Sequence, residues 1–410
     1  MVGLESGIRR GSACPPLSVS CAALVALACQ GASPSPRHAG DRVADPALSD
    51  LPVDAAPRVV TAGHSGDTAT GQPLLLDAAS DAEQGEVRLR LLAVGDVLFG
   101  RYDRSKRYLR VARSDRSPFA AVAHLIGSAD IAFANLECPM LAEPARFQTT
   151  RRLTFRAEPA DAQTLARAGF DVVSIANNHA HDFGRAAVVK SRRHLEKAGI
   201  AAIGGGAGIE EALRPALLER GGLRVAVLAF TVWLKGKKTP SQNSAVAYVR
   251  YRDVVDTISP VIRRLHGQGL ADAIVVSLHW GWEKETSPRH SQRRVARALI
   301  DAGAHVVLGH HPHVIQQIEV YRHGVIAYSL GNFLFDNPYP VQRLTVALEV
   351  VIERNHGGVR ANEVVVHPVV IDRKTRTPRH LLPDEHRSWR RQLERLAPGA
   401  AVAGAAEHKR

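Results

Sequence analysis

The sequence predicts an α/β fold, with buried strands covered on both sheet faces. Three observations carry that expectation. Short apolar runs recur along the body. Stretches with helical spacing lie between them. Several of the apolar runs end in a compact polar motif, and in such sheets ligands bind outside the carboxyl ends of the strands.

The elements follow in order. Val87, Leu89 and Leu91 alternate with Arg88 and Arg90, and the run is then wholly apolar to Val94. This reads as a strand whose second half is buried on both faces, and it stops at Gly95-Asp96. Residues 129–134 form the next apolar run, followed by Asn135-Leu136-Glu137. Residues 160–168 read as a helix stopped by Gly169. Residues 170–175 read as a strand that leads into Ala176-Asn177-Asn178-His179-Ala180-His181-Asp182-Phe183-Gly184. A helix then runs to about residue 198, with Gly199 as its stop. Residues 223–230 are a buried strand and 254–266 a helix. Residues 273–278 are a strand ending at His279-Trp280-Gly281-Trp282-Glu283. Ser287 is suited to cap the following helix, Pro288 to its first turn and Gly303 to its end. Residues 304–308 are a strand ending at Gly309-His310-His311-Pro312-His313, and 325–330 a strand ending at Gly331-Asn332-Phe333. Strands near 344–352 and 364–371 close the body.

The flanks read differently. Arg9 and Arg10 precede an apolar run over residues 16–28, the pattern of an export signal. Its end, Ala26-Leu27-Ala28-Cys29, resembles a bacterial lipoprotein cleavage box with Cys29 as the lipidated residue; an ordinary cleaved signal peptide is the alternative. Residues 1–29 are therefore taken as the signal. Residues 30–86, rich in Ala, Ser, Pro, Gly and Asp without a sustained period, form a flexible linker. The body spans 87–372, and 373–410 is a basic, partly helical tail with Trp389, Leu393 and Leu396 on one face, expected to pack on the body.

The chain carries 53 Lys+Arg against 40 Asp+Glu, net +13, which favours anionic partners. No helix-turn-helix, zinc finger or RNA-binding signature accompanies that charge, so a nucleic-acid role is not expected. Of 4 cysteines, Cys14, Cys21 and Cys29 lie near the amino end, leaving only Cys138 in the body. An internal disulfide and a Cys-based zinc site are thereby excluded from it. Any metal must be held by His, Asn and carboxylates, hard-to-borderline ligands that suit Mn, Fe, Zn or Mg. His311-x-His313 in an extended chain would present two imidazoles on one side, at a spacing that serves one metal or bridges two.

Taken together, Gly95-Asp96, Asn135-Leu136-Glu137, Phe155-Arg156-Ala157, Ala176-Asn177-Asn178-His179 with Asp182 and Gly184, His279-Trp280-Gly281 with Glu283, Gly309-His310-His311-Pro312-His313 and Tyr328-Ser329-Leu330-Gly331-Asn332-Phe333 resemble the CapA family of poly-γ-glutamate capsule biosynthesis proteins. The family is similar in turn to calcineurin-like metallophosphoesterases. That implies a four-layer α/β/β/α sandwich with a site for two divalent ions at one edge. By position, the resemblance makes Asp96, Glu137, Asn178, His279, His311 and His313 metal ligands and gives His179, with Asp182, the catalytic role. Asn135, Arg156, Glu283, His310 and Asn332 are left for substrate. The chain departs from the pattern in three places. Leu98 stands where the opening Asp-x-His motif has its His, Ala180 follows His179 where an acid is usual, and His310 is an extra histidine in the closing motif. Which two of His310, His311 and His313 ligate metal stays open.

The expected function is an exported, envelope-tethered, metal-dependent hydrolase or transferase. Its partner would be an anionic polymer or a phosphorylated or lipid-linked precursor of one. Arg101, Arg104, Arg151, Arg152 and Arg156, next to the motifs, are candidates to hold its carboxylates or phosphates. The alternative is a non-catalytic assembly factor of an envelope polymer export complex.

Overall fold

The computed structural model describes residues 87–142, 153–234, 245–336 and 339–382, with isolated positions in the tail. The signal and linker, and Arg151 and Arg152, lie outside the described residues.

Two sheets organise the body. In the first, β1 (Val87–Val97), β4 (Ile131–Leu136), β6 (Val172–Ser174) and β7 (Ala201–Ile203) run parallel and adjacent. The long antiparallel hairpin of β15 (Leu344–Asn355) and β16 (Gly358–Ile371) extends this sheet from the other edge of β1. In the second, β9 (Leu223–Thr231), β10 (Ala273–His279), β11 (Val306–His310) and β13 (Gly324–Ala327) are parallel, flanked by antiparallel β8 (Ala216–Arg220) and β12 (Ile318–Tyr321). A small sheet of β2 (Gly100–Tyr102), β3 (Tyr108–Arg110) and β5 (Thr154–Phe155) sits beside them.

The period of two along each strand determines how the layers stack. Val225, Val227, Val275, Val306, Leu308 and Val325 join one core cluster with Leu91, Ala93 and Phe133 of the first sheet. Their neighbours Ala226, Leu228, Ile274, Val276, Val307 and Ile326 join a second cluster. There they meet Ile258 and Ile262 of the helix Val254–Gly267, and Val295 and Leu299 of the helix His290–Asp301. The second sheet is thus buried on one face by the first sheet and on the other by helices. The first sheet is covered in turn by the helices Asp161–Ala168 and Arg185–Lys197 through Leu165, Val188 and Leu195. The result is the expected four-layer α/β/β/α sandwich. Because both faces of its central strands are covered, these strands read as continuous apolar runs.

Most elements begin and end near their expected positions. One helix does not: Ser287 lies outside it, and the helix starts at His290 with Arg289 as N-cap. The Gln292 side chain accepts the backbone N–H of the N-cap Arg289 at 3.1 Å, which is the bond the N3 residue makes in a capping box. In the tail, Trp389 is 2% exposed and joins the first cluster, with Leu396 packed against it. Among the described residues no helix is long and apolar enough to cross a membrane.

Candidate metal centre

The carboxyl ends of both sheets meet at one edge. In the first sheet, Asp96 pairs in register with Asn135 and with Asn332 at the start of β14 (Asn332–Leu334). In the second, His279 pairs with His310 on one side and Thr231 on the other. Strand register therefore sets one row of Asp and Asn beside a row of His. Between them β11 must run very close to its neighbour. A Cβ on Gly309 would lie 1.9 Å from the Tyr328 carbonyl oxygen, so only glycine fits.

The side chains converge across that junction. Glu137 is the shared member of two candidate ligand groups: Glu137, His279 and His311 form one, and Asp96, Glu137 and His313 the other. Within each group the ligand atoms lie within 4.8 Å of one another. His279 Nε2 is 3.8 Å from Glu137 Oε1 and 3.2 Å from Asn178 Oδ1. His313 Nδ1 is 3.3 Å from Asp96 Oδ2 and 3.7 Å from Glu137 Oε2. All six expected ligands are buried. A buried set of carboxylate oxygens, imidazole nitrogens and one amide oxygen is a donor set that fits a divalent cation.

Charge distribution agrees with that use. Burial alone would raise the Asp96 carboxyl, but bonding from His310 and His313 outweighs it and holds Asp96 ionised well below the usual range. Burial would lower His313, yet Glu137 and Asp96 push it up to about 10. Burial, reinforced by His311, keeps His279 neutral. A cation entering beside His313 must therefore compete with a proton.

The neighbours hold these ligands in place. Asn135 Nδ2 donates to Asp96 Oδ1 at 2.8 Å and lies 3.4 Å from His279 Nδ1. Asn332 Oδ1 is 2.9 Å from His313 Nδ1, and its amide donates to the Gln342 carbonyl at 3.1 Å. His310 Nδ1 is 3.3 Å from Asp96 Oδ1, with its ring 5.8 Å from that of Phe133. Asn135, His310 and Asn332, expected at the substrate, are all 0% exposed and support ligand candidates instead. His310 belongs to no candidate ligand group, whereas His311 and His313 each belong to two. Glu283, also expected at substrate, brings its exposed carboxylate into a third candidate group with His311 and His313.

Two further expectations need correction. His311 and His313 are not in extended chain: their φ angles are 98° and 58°, so a turn, not a strand, carries the two rings. Arg156 is 3% exposed and lies over the Tyr108 ring at 4.0 Å while donating to the Leu141 carbonyl at 3.3 Å. That guanidinium braces the small sheet. Arg101 is likewise paired with Asp336, at 2.8 Å.

His179 follows Asn178 in the loop after β6. Its Nδ1 is 2.6 Å from Asp182 Oδ2, and that same oxygen accepts the Phe155 backbone N–H at 2.9 Å. The Phe155 ring stacks on the imidazole at 3.7 Å between centroids. Asp182 thus gives His179 a carboxylate partner that Ala180 cannot. The contact and the stacked ring hold the imidazole in one orientation. Sequence reading assigned no role to Phe155, or to Trp233, whose ring lies 5.7 Å from that of His311. Trp233 carried one usable signal, its place just past the apolar strand β9.

Comparison with known proteins places the chain among relatives. The family model described as "Bacterial capsule synthesis protein PGA_cap" matches residues 90–337. The capsule biosynthesis protein CapA of Bacillus anthracis is 28% identical over 320 residues, 76% of this chain and 75% of that protein. The PGA biosynthesis protein CapA of Bacillus subtilis is 29% identical over 307 residues, 72% of this chain and 78% of that protein. A probable polyglutamine synthesis accessory protein of Mycobacterium tuberculosis is 31% identical over 218 residues, 50% of this chain and 56% of that protein. Among solved structures, the calcineurin-like phosphoesterase YfkN of Bacillus subtilis aligns with a TM-score of 0.42 and 13% identity, covering 76% of this chain and 99% of that one.

Proposed function

The chain belongs to the bacterial capsule synthesis protein family, and from that premise we propose that its edge cluster is a divalent-metal centre for hydrolysis or transfer on an anionic, glutamate-type polymer or its precursor. The observation that carries the reading is Glu137, common to two groups of potential ligands. A shared carboxylate is what a pair of neighbouring cations requires. Asp96, Glu137 and His313 would hold one ion, and Glu137, His279, His311 and Asn178 the other. Bound divalent ions supply Lewis acidity and neutralise charge that develops at the reacting centre.

The remaining chemistry belongs to the chain's own groups. His179, oriented by Asp182 and clamped by Phe155, is built to pass a proton from Nε2 to a leaving atom. Asn135 and Asn332 keep Asp96 and His313 aimed at the cluster. The polymer assignment is supported by the names of the relatives, which concern capsule, PGA and polyglutamine synthesis. We also read the amino-terminal segment as an export signal with Cys29 as lipid anchor, which would put the enzyme at the envelope near an export or synthesis complex.

A non-catalytic role is favoured by one observation, the word "accessory" in the name of the Mycobacterium relative. One experiment separates the two readings. Purified chain is analysed for bound metal and assayed with Mn against a phosphoester and a γ-glutamyl polymer. The enzyme reading expects bound metal and turnover, both lost in His313→Ala. A metal-free protein with no turnover on either substrate supports the assembly role and overturns the enzyme.

A further inference from the structure

We propose that the turn of residues 281–284 is a recognition edge for an extended, amide-linked, carboxylate-bearing chain, with Trp282 as its stacking platform and Lys284 as its carboxylate grip. This rests on the reading of the cluster as a centre acting on an anionic polymer.

The turn is built for rigidity. The Trp233 indole donates to the Gly281 carbonyl at 2.8 Å, and the Lys284 amide donates to the Pro312 carbonyl at 2.8 Å. Pro312, between the two ligand histidines, thus ties the turn to the metal cluster. Gly281 has φ 80°, and a Cβ there would lie 2.9 Å from Gln292 Nε2. Lys284 has φ 67°, a left-handed conformation that a lysine rarely adopts. Local strain of this kind accumulates where a side chain must be aimed.

What the turn presents is unlike a solvated loop. Trp282 is 50% exposed, with the Arg289 guanidinium 5.2 Å from its ring centroid, so the indole presents an aromatic surface with a cation already beside it. Its ring stands 5.1 Å from Trp233, edge to face, and Trp233 stands 5.7 Å from His311, so two rings connect the solvent to the cluster. Lys284 Nζ lies 5.1 Å from the Tyr339 ring, and among the described residues it forms no ion pair. Glu283, between the two, reaches inward to within 4.8 Å of the ligand atoms of His311 and His313. A chain lying along this edge therefore passes over a ligand group of the centre.

The span favours a polymer over a monomer. Trp282 reaches the cluster only through Trp233, in successive ring-to-ring steps of 5.1 and 5.7 Å, so a ligand touching both Trp282 and the centre must extend past the reacting group. Several residues of substrate would thus touch the edge beyond the reacting one. Planar amides stack on an indole face, and carboxylates spaced along the chain meet Lys284.

The test uses full-length, Mn-loaded protein and titrates poly-γ-glutamate, free glutamate and the anionic polysaccharide alginate by calorimetry. The expected result is binding of poly-γ-glutamate well above that of glutamate or alginate. Trp282→Ala and Lys284→Gln should each weaken it about tenfold with metal content unchanged, while Trp282→Phe keeps most of it. If both variants bind the polymer as tightly as wild type, the edge is overturned and the polymer reading of the centre stands. Equal or tighter alginate binding that depends on Trp282 overturns the amide-linked occupant. Failure of the metal-loaded wild type to bind poly-γ-glutamate overturns both the edge and the polymer reading.

Discussion

At the residue scale, the most consequential pair is His179 and Asp182. Their 2.6 Å contact, with Phe155 stacked on the ring, holds the imidazole in one orientation. Replacing His179 by Asn should lower turnover roughly 100- to 10,000-fold, while metal content measured by elemental analysis stays at the wild-type level. Asp182→Asn should lose less, because the ring remains but its orientation loosens. An equal loss of metal in either variant would move His179 from proton transfer to ligation. Much of this scale was legible in the sequence, since every ligand candidate stands in a motif that follows an apolar run. Two features were not. The left-handed φ of His311 and His313 leaves no mark in the local residue pattern. The support given by Asn135, His310 and Asn332 arises from strands brought side by side, so residues that look like substrate contacts turn out to back the ligands.

At the element scale, β11 carries two constraints that can be measured. Its Gly309 leaves no room for a methyl group against the Tyr328 carbonyl. Gly309→Ala should cost about 3 kcal/mol in chemical unfolding and disturb metal binding by shifting His310 to His313. Wild-type stability in that variant would show that the strands part more easily than their spacing implies. Just before β11, His305 is buried and its Nδ1 accepts the Ile274 amide at 3.1 Å. Burial first, then the charge of His323, lowers its pKa to about 4 against 6.5 for the free side chain. The unfolded chain therefore takes up this proton before the folded one does. The stability associated with neutral His305 is complete above pH 6.5 and is lost as pH falls towards 4, by about 3 kcal/mol. His305→Asn, which keeps an acceptor for Ile274, should flatten urea-unfolding stability over that window; an unchanged pH slope would contradict the assignment. The long, doubly covered strands were readable because burial on both faces leaves an unbroken apolar run. Short strands such as β2, β3, β5 and β7 were not, because two or three residues carry no period to read.

At the scale of the whole molecule, the sandwich turns the carboxyl ends of the parallel strands of two sheets towards each other, so that an Asp/Asn row and a histidine row close on one edge. That layering was legible only through the family resemblance, because strand order within a sheet leaves no mark on local sequence. The proposed tether can be tested at this scale too. Cys29→Ser should shift the protein from the membrane fraction to the soluble fraction, and an unchanged distribution would remove the lipid anchor from the account. On the proposed reading Glu137 serves two cations at once, and elemental analysis of wild type and Glu137→Gln, each dialysed against Mn, measures this. Two ions per chain are expected in the wild type and a loss exceeding one ion in Glu137→Gln. A wild type that retains no metal, or a Glu137→Gln variant that retains the full complement, would contradict it.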